Sequence, residues 1–182
     1  EVVETIQANV NAILDAGGIA SINHPNFRWA FNHEHLLQVS GASLLEVYNG
    51  HPTVNLYGTP DKPSTEQIWD AVLTGGIVLF GVAVDDSHNY HDFTPNLSNP
   101  GRGWVMVEAD DLVADAIVDA LATGSFYSST GVAFCELEST PERINMVVEQ
   151  KHDEIYTINF IGRDGEVLDI QTGTSAEYRI RG

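Results

Sequence analysis

Apolar residues recur at three- and four-residue steps from the start of the chain. Val3, Ile6, Val10, Ile13 and Leu14 fall on one stripe, the mark of an amphipathic helix, and Gly17-Gly18 supplies a left-handed stop. The short apolar segment Gly18 to Asn23 reads as a strand, ended by His24-Pro25, where proline interrupts strand pairing. A short helix over His33 to Val39 leads to a strand over Ser43 to Tyr48, which ends at Asn49-Gly50-His51-Pro52. Ser64 with Gln67 three residues on matches a capping box, and Ile68, Trp69, Val72 and Leu73 form the apolar face of the helix it opens. Gly76 to Val84 is almost continuously apolar, as a strand covered on both faces should be. Polarity then switches within one step, at Asp85-Asp86-Ser87-His88. Trp104 to Val107 is a further strand. A helix carrying Leu112, Ala116, Ile117, Ala120 and Leu121 follows, with Asp110 or Asp111 as its expected cap and Gly124 as its stop.

From Ser125 the texture changes to short β-like runs: Val132 to Leu137, Arg143 to Glu149, Ile155 to Ile161, Glu166 to Ile170 and Ala176 to Ile180. Asp164-Gly165 is a strong hairpin signal. The pattern therefore predicts an α/β part over residues 1–124 and a β-rich subdomain over residues 125–182. A helix that opens a helix-strand series with no strand ahead of it predicts a chain that begins partway through a larger α/β unit.

Composition narrows the function classes. With 43% hydrophobic residues, 16 Gly and 7 Pro, the chain has the makings of a packed core rather than of a disordered segment. No apolar run is long enough to cross a membrane and no signal-peptide pattern opens the chain, so no membrane partner is expected and the compartment is left open. Twenty-six acidic against 8 basic residues, a formal net charge of -18, argue against binding nucleic acid or anionic membrane. Most of that excess reads as a solvated surface. The single cysteine, Cys135, follows Val132-Ala133-Phe134 and is expected as a small buried side chain rather than a nucleophile.

The candidate chemistry gathers at the ends of the predicted strands. His24, Asn49 with His51, and Asp86 with His88 each follow such an end, the edge that carries the active site in β/α barrels. In Asp86-x-His88, residues two apart in extended chain face one side, so a carboxylate and an imidazole converge. Glu46, between Leu45 and Val47, either points into the barrel or pairs with a cation. Imidazole and carboxylate together suit zinc, iron or manganese, which lower the pKa of bound water and polarise a phosphoryl or carbonyl oxygen. Arg28 is a candidate for an anionic substrate or for a structural ion pair. His51 suits either a site or a loop role. His33, His35 and His91 read as solvated, and Ser128-Ser129-Thr130-Gly131 as a turn with no base spaced to activate a serine.

Three segments, 17–25 (GGIASINHP), 45–50 (LEVYNG) and 81–88 (GVAVDDSH), resemble later motifs of the PHP (polymerase and histidinol phosphatase) superfamily. Gly124 to Gly131 resembles the stretch that follows the barrel in many of its metallohydrolases. The resemblance covers nearly the whole chain and implies the C-terminal part of a distorted, seven-stranded β/α barrel that holds metal ions at its strand C-termini and hydrolyses phosphoesters. It implies His24, Asp86 and His88 as metal ligands, with Asp86 and His88 at the catalytic centre, Glu46 as a further candidate, and Arg28 and Asn49 beside the substrate. The family's opening His-x-His has no counterpart here. His33-Glu34-His35 carries the letters, but in a helical stretch after the His-Pro motif.

The expected function is thus metal-dependent hydrolysis of a small-molecule phosphoester, with zinc, manganese or iron as cofactor and an incomplete active site. Two alternatives stand beside it: a non-catalytic metal- or anion-binding fragment, and an amide or carbamate metallohydrolase on the same scaffold. Half a barrel would expose strand edges, so a homo-oligomer or a missing N-terminal half is the expected partner.

Overall fold

The computed structural model describes residues 1–180, and the chain divides into two compact units, residues 1–130 and the residues from Gly131 onward. The first unit runs α1 (Val2–Asp15), β1 (Ala20–Ile22), α2 (His33–Leu36), β2 (Ala42–Asn49), α3 (Thr65–Thr74), β3 (Phe80–Val84), β4 (Trp104–Val107), α4 (Ala114–Thr123) and β5 (Phe126–Ser129). β1, β2 and β3 form a parallel sheet in that order. Each connection within it passes through a helix, as parallel neighbours require. Leu44, Leu45 and Glu46 are buried in succession on the central strand β2, the pattern of a strand covered on both faces.

The core of this unit joins Val10 of α1, Ala20 and Ile22 of β1, Leu36 of α2, Leu45 of β2, and Ile68 and Val72 of α3 with Val39 and Leu79. Each large aliphatic side chain so buried contributes about 1.5–3 kcal/mol. α3 starts where the capping box places it: Gln67 N–H donates to Ser64 Oγ at 3.1 Å, and Ser64 N–H donates to Gln67 Oε1 at 2.9 Å. The Trp69 indole N–H donates to Leu79 O at 2.7 Å, holding α3 against the approach to β3. A Cβ on Gly81 would stand 2.9 Å from Val47 and 3.1 Å from Trp69, so glycine there lets the helix sit close to the sheet.

The expected distorted barrel does not form. Among the described residues there is an open three-stranded parallel sheet and several small antiparallel ones, with no closed barrel. Three parallel strands are too few to close on themselves. Past β3 the chain reverses into β4 and β5, which pair antiparallel with each other and not with β3. That pairing also keeps β5 in the first unit, six residues beyond the boundary expected at residue 124.

Two local expectations are corrected as well, and one is met. β3 starts at Phe80 rather than Gly76, because Gly76, at φ 91°, and the bond from Ile77 N–H to Val72 O complete the end of α3. α4 starts at Ala114 with Val113 at its N-cap and no side-chain cap, which leaves Leu112 94% exposed ahead of the helix. Gly124 closes α4 in the left-handed region at φ 79°, where a Cβ would also strike the Phe80 ring.

The second unit contains β6 (Phe134–Ser139), β7 (Arg143–Val148), β8 (Thr157–Ile161), β9 (Val167–Thr172) and β10 (Ser175–Arg179). One antiparallel sheet has the order β10-β7-β6, and β8 and β9 form a hairpin across the Arg163–Gly165 turn. Asp164 and Gly165 there have φ of 59° and 70°, as the Asp-Gly signal predicts. Val148, Phe160 and Ala176 are buried, and the Phe160 and Tyr178 rings stack at 5.2 Å. Cys135 is exposed, contrary to expectation. β6 is an edge strand, and of its residues only Phe134 is partly covered. Among the described residues no helix is long and apolar enough to cross a membrane.

Candidate functional site

The C-terminal ends of β2 and β3 lie side by side because the register pairs Asn49 with Val84, and β1 ends against the middle of β2, where Ile22 pairs with Leu45. The chain leaves two of these ends through a left-handed residue, His24 at φ 34° and Asp86 at φ 48°. Non-glycine residues seldom adopt that region, and such strain persists where the surroundings over-determine it. At His24 the surroundings are visible. Its N–H donates to Glu46 Oε2 at 2.7 Å, Phe27 N–H donates to its carbonyl at 2.9 Å, and its ring meets Phe27 edge-on at 5.6 Å.

Asn49 links β2 to the turn after β3 directly, and reaches the turn after β1 through Glu46. Its amide nitrogen donates to Glu46 Oε2 at 3.1 Å and to Asp86 Oδ2 at 3.2 Å, while its Oδ1 accepts from His51 N–H at 2.8 Å. Both amide protons are thereby engaged. Glu46 is only 5% exposed. Burial raises its carboxyl above the usual range, the bonds from Asn49 and the His24 N–H together with the His24 charge offset part of that, and the Asp86 charge adds to the rise.

The two aspartates after β3 divide their work. Asp85 accepts from the backbone N–H groups of Gly101 at 3.0 Å, Arg102 at 2.6 Å and Gly103 at 2.9 Å, fastening the far end of the loop to the strand. Desolvation alone would raise Asp85. The three N–H groups and the Arg102 charge outweigh it and hold the carboxyl below the usual range. Asp86 turns instead toward Asn49.

His88 is set by the loop around it. Its Nδ1 lies 2.7 Å from the Asp86 carbonyl oxygen, an acceptor, so Nδ1 carries the proton and donates. Its backbone N–H donates to Ser98 O at 3.0 Å and Ser98 Oγ at 3.1 Å, and Ser98 Oγ donates in turn to Asp86 O. Ser98 and Asn99 are buried, and Asn99 donates to the carbonyls of Asn89 and Asp92. Arg102 spans the same loop, donating to Gly50 O, Thr94 O and Asn99 Oδ1. His51 meets His88 edge to face at 5.4 Å between ring centroids.

The structure thus brings Glu46, Asn49, Asp86 and the His24 backbone into one hydrogen-bonded group, with His88 attached through Asp86. Arg28 stands apart: its exposed side chain stacks over Phe27 at 5.3 Å and, among the described residues, joins none of these bonds. His35 belongs to the helix start, its Nδ1 2.7 Å from Asn32 Oδ1 in the α2 capping box. Ser98, Asn99 and Arg102 escaped the sequence reading. The signal was the Asn- and Ser-rich stretch 96–99 followed by an arginine, where short side chains able to bond backbone groups define a loop.

Asp86 and His88 are the side chains here that could hold a metal, with Asp86 Oδ1 3.8 Å from His88 Nδ1. With Nδ1 committed to a carbonyl, His88 keeps the Nε2 lone pair that a metal takes, the outer-shell arrangement usual for ligating histidines. Asp86 adds a carboxylate two residues away. Among the described residues no three His, Cys, Asp or Glu side chains converge on one point. The chain matches no family model, no curated protein and no solved structure in these comparisons.

Proposed function

We propose that the first unit carries part of a metal-dependent hydrolase centre for small-molecule phosphoesters, the activity implied by the PHP resemblance. One observation carries the reading: a single buried amide, Asn49, ties Glu46 and Asp86 together beside His24 at the C-terminal ends of three parallel strands. Ligands in open α/β sheets collect at that edge.

Asp86, His88 and His24 are the residues that would hold a divalent ion, zinc, manganese or iron. When bound, such an ion supplies Lewis acidity and an activated water. The chain's own residues do the rest. The Asp86 carbonyl orients the His88 ring, and Asn49 holds the Asp86 carboxylate in register with the sheet. Glu46, buried and accepting from both Asn49 and the His24 N–H, fixes the turn after β1 against β2. Arg28, on the exposed turn after β1 and outside the bonded group, would attract the substrate's charge only at longer range.

The test is elemental analysis of protein purified without chelator, for the natural sequence and for Asp86→Ala combined with His88→Ala, alongside turnover of phosphate and carboxyl esters. The reading expects metal in the first protein, its loss in the second, and preference for the phosphate ester. Metal without turnover would assign a binding module, and carboxyl ester cleavage an acyl-type hydrolase. Metal content unchanged by the double substitution sinks the ligand assignment.

A further inference from the structure

His51 and His88 are edge-to-face neighbours whose partners select opposite tautomers. At His88, Nδ1 donates to the Asp86 carbonyl, leaving Nε2 bare. At His51, the Thr53 backbone N–H donates to Nδ1 at 3.2 Å, with the Thr53 hydroxyl 3.0 Å from the same nitrogen. A nitrogen that accepts from a backbone N–H has a free lone pair, so the neutral His51 ring carries its proton on Nε2. The turn that produces this is short and local. Asn49 Oδ1 accepts from His51 N–H on one side of the residue, and Thr53, two residues on, meets the ring on the other.

We propose that His51 is a substrate-contacting residue of this site: its Nε2–H donates a hydrogen bond to an oxygen of a phosphoryl group bound beside His88. The adjacent imidazoles then differ in role: His51 offers a donor to the substrate, while His88 would keep its Nε2 lone pair for the ion. An N–H donor whose ring is fixed by the Thr53 contacts can stabilise charge growing on a phosphoryl oxygen, as preorganised donors do. His51 is partly exposed, so the ring is open to a ligand. The inference rests on the phosphoester reading for the identity of the oxygen, while the tautomers rest on geometry alone.

The test uses the full chain labelled with nitrogen-15 at histidine, with long-range proton–nitrogen correlation spectra recorded above the histidine titration range. The expected pattern is His51 protonated at Nε2 and His88 at Nδ1, with inorganic phosphate shifting the His51 Nε2–H resonance. His51→Gln, whose amide nitrogen occupies the Nε2 position, should keep p-nitrophenyl phosphate turnover within about fivefold, whereas His51→Phe should lower it by about 10²-fold, the scale for loss of one preorganised donor. A His51 protonated at Nδ1, or one whose resonance phosphate leaves unmoved, overturns the proposal. If no ester is turned over, the hydrolase reading fails on its own, and the spectra still decide whether His51 binds phosphate.

Discussion

The Asn49 amide lies 3.2 Å from the Asp86 carboxylate and 3.1 Å from that of Glu46, so one neutral side chain separates two acids on neighbouring strand ends. Asn49→Asp would replace the two N–H donors by a third carboxylate between the others. Losing charge-assisted bonds in a buried setting, with like charges added, should cost about 2–4 kcal/mol at pH 7. The cost should shrink at pH 4, where the Glu46 carboxyl, raised by burial, keeps its proton. Urea unfolding at both pH values measures it, and equal stability of variant and natural protein at pH 7 would show that the amide holds neither acid.

Glu46 has a carboxyl raised by burial. In the folded chain it keeps its proton to higher pH than in the unfolded chain, so its contribution is fully present below the ordinary value of 4.5 and is lost as pH rises toward the raised folded value. Glu46→Gln keeps an oxygen to accept from the His24 and Asn49 donors but cannot ionise. Relative to the natural protein, the variant should gain stability as pH rises from about 4.5 to 7. Parallel stability-pH curves for the two proteins would remove this account.

Asp85 has the opposite sign. Its folded carboxyl is depressed, so its contribution is present above the ordinary value of 3.8 and is lost as pH falls through the lower folded value. Asp85→Ala leaves the N–H groups of Gly101, Arg102 and Gly103 without their acceptor. It should lower stability by about 2 kcal/mol at pH 7 and flatten the acid limb of the unfolding curve. Amide exchange at these three positions should rise with it, and unchanged protection there would contradict the role assigned to Asp85.

These residues also mark how far the sequence could be read. Period and capping located α3, because Ser64, Gln67, Ile68 and Val72 act within a few residues of one another. Asp86-x-His88 and His24-Pro25 stood out because polarity breaks sharply after an apolar run. The Asn49 bridge depends on the β2–β3 register, a long-range quantity that no local pattern states. The division of labour between Asp85 and Asp86 depends on a loop closing from residues 101–103, equally remote in sequence. The barrel expectation failed for a related reason. Alternating helices and strands are legible one by one, but whether β4 joins β3 or turns back on β5 is decided by tertiary pairing.

That turning back leaves the outer edge of β3 to a side chain. Ser128 Oγ on β5 donates to Gly81 O at 2.7 Å and accepts from Ala83 N–H at 3.1 Å. One hydroxyl thus occupies the place where a neighbouring strand would have supplied a carbonyl and an amide. Ser128→Ala removes both bonds and adds no bulk. The expected loss is about 1–2 kcal/mol, the usual cost of leaving backbone groups unpartnered, with faster hydrogen exchange at Ala83. Asp86 and His88 keep their own loop bonds in the variant, so metal content per chain should not change. Exchange at Ala83 that stays as slow as in the natural protein would mean that water or a backbone shift replaces the hydroxyl. A fall in metal content would instead mean that the β3 edge, and not only its C-terminal end, sets the position of Asp86.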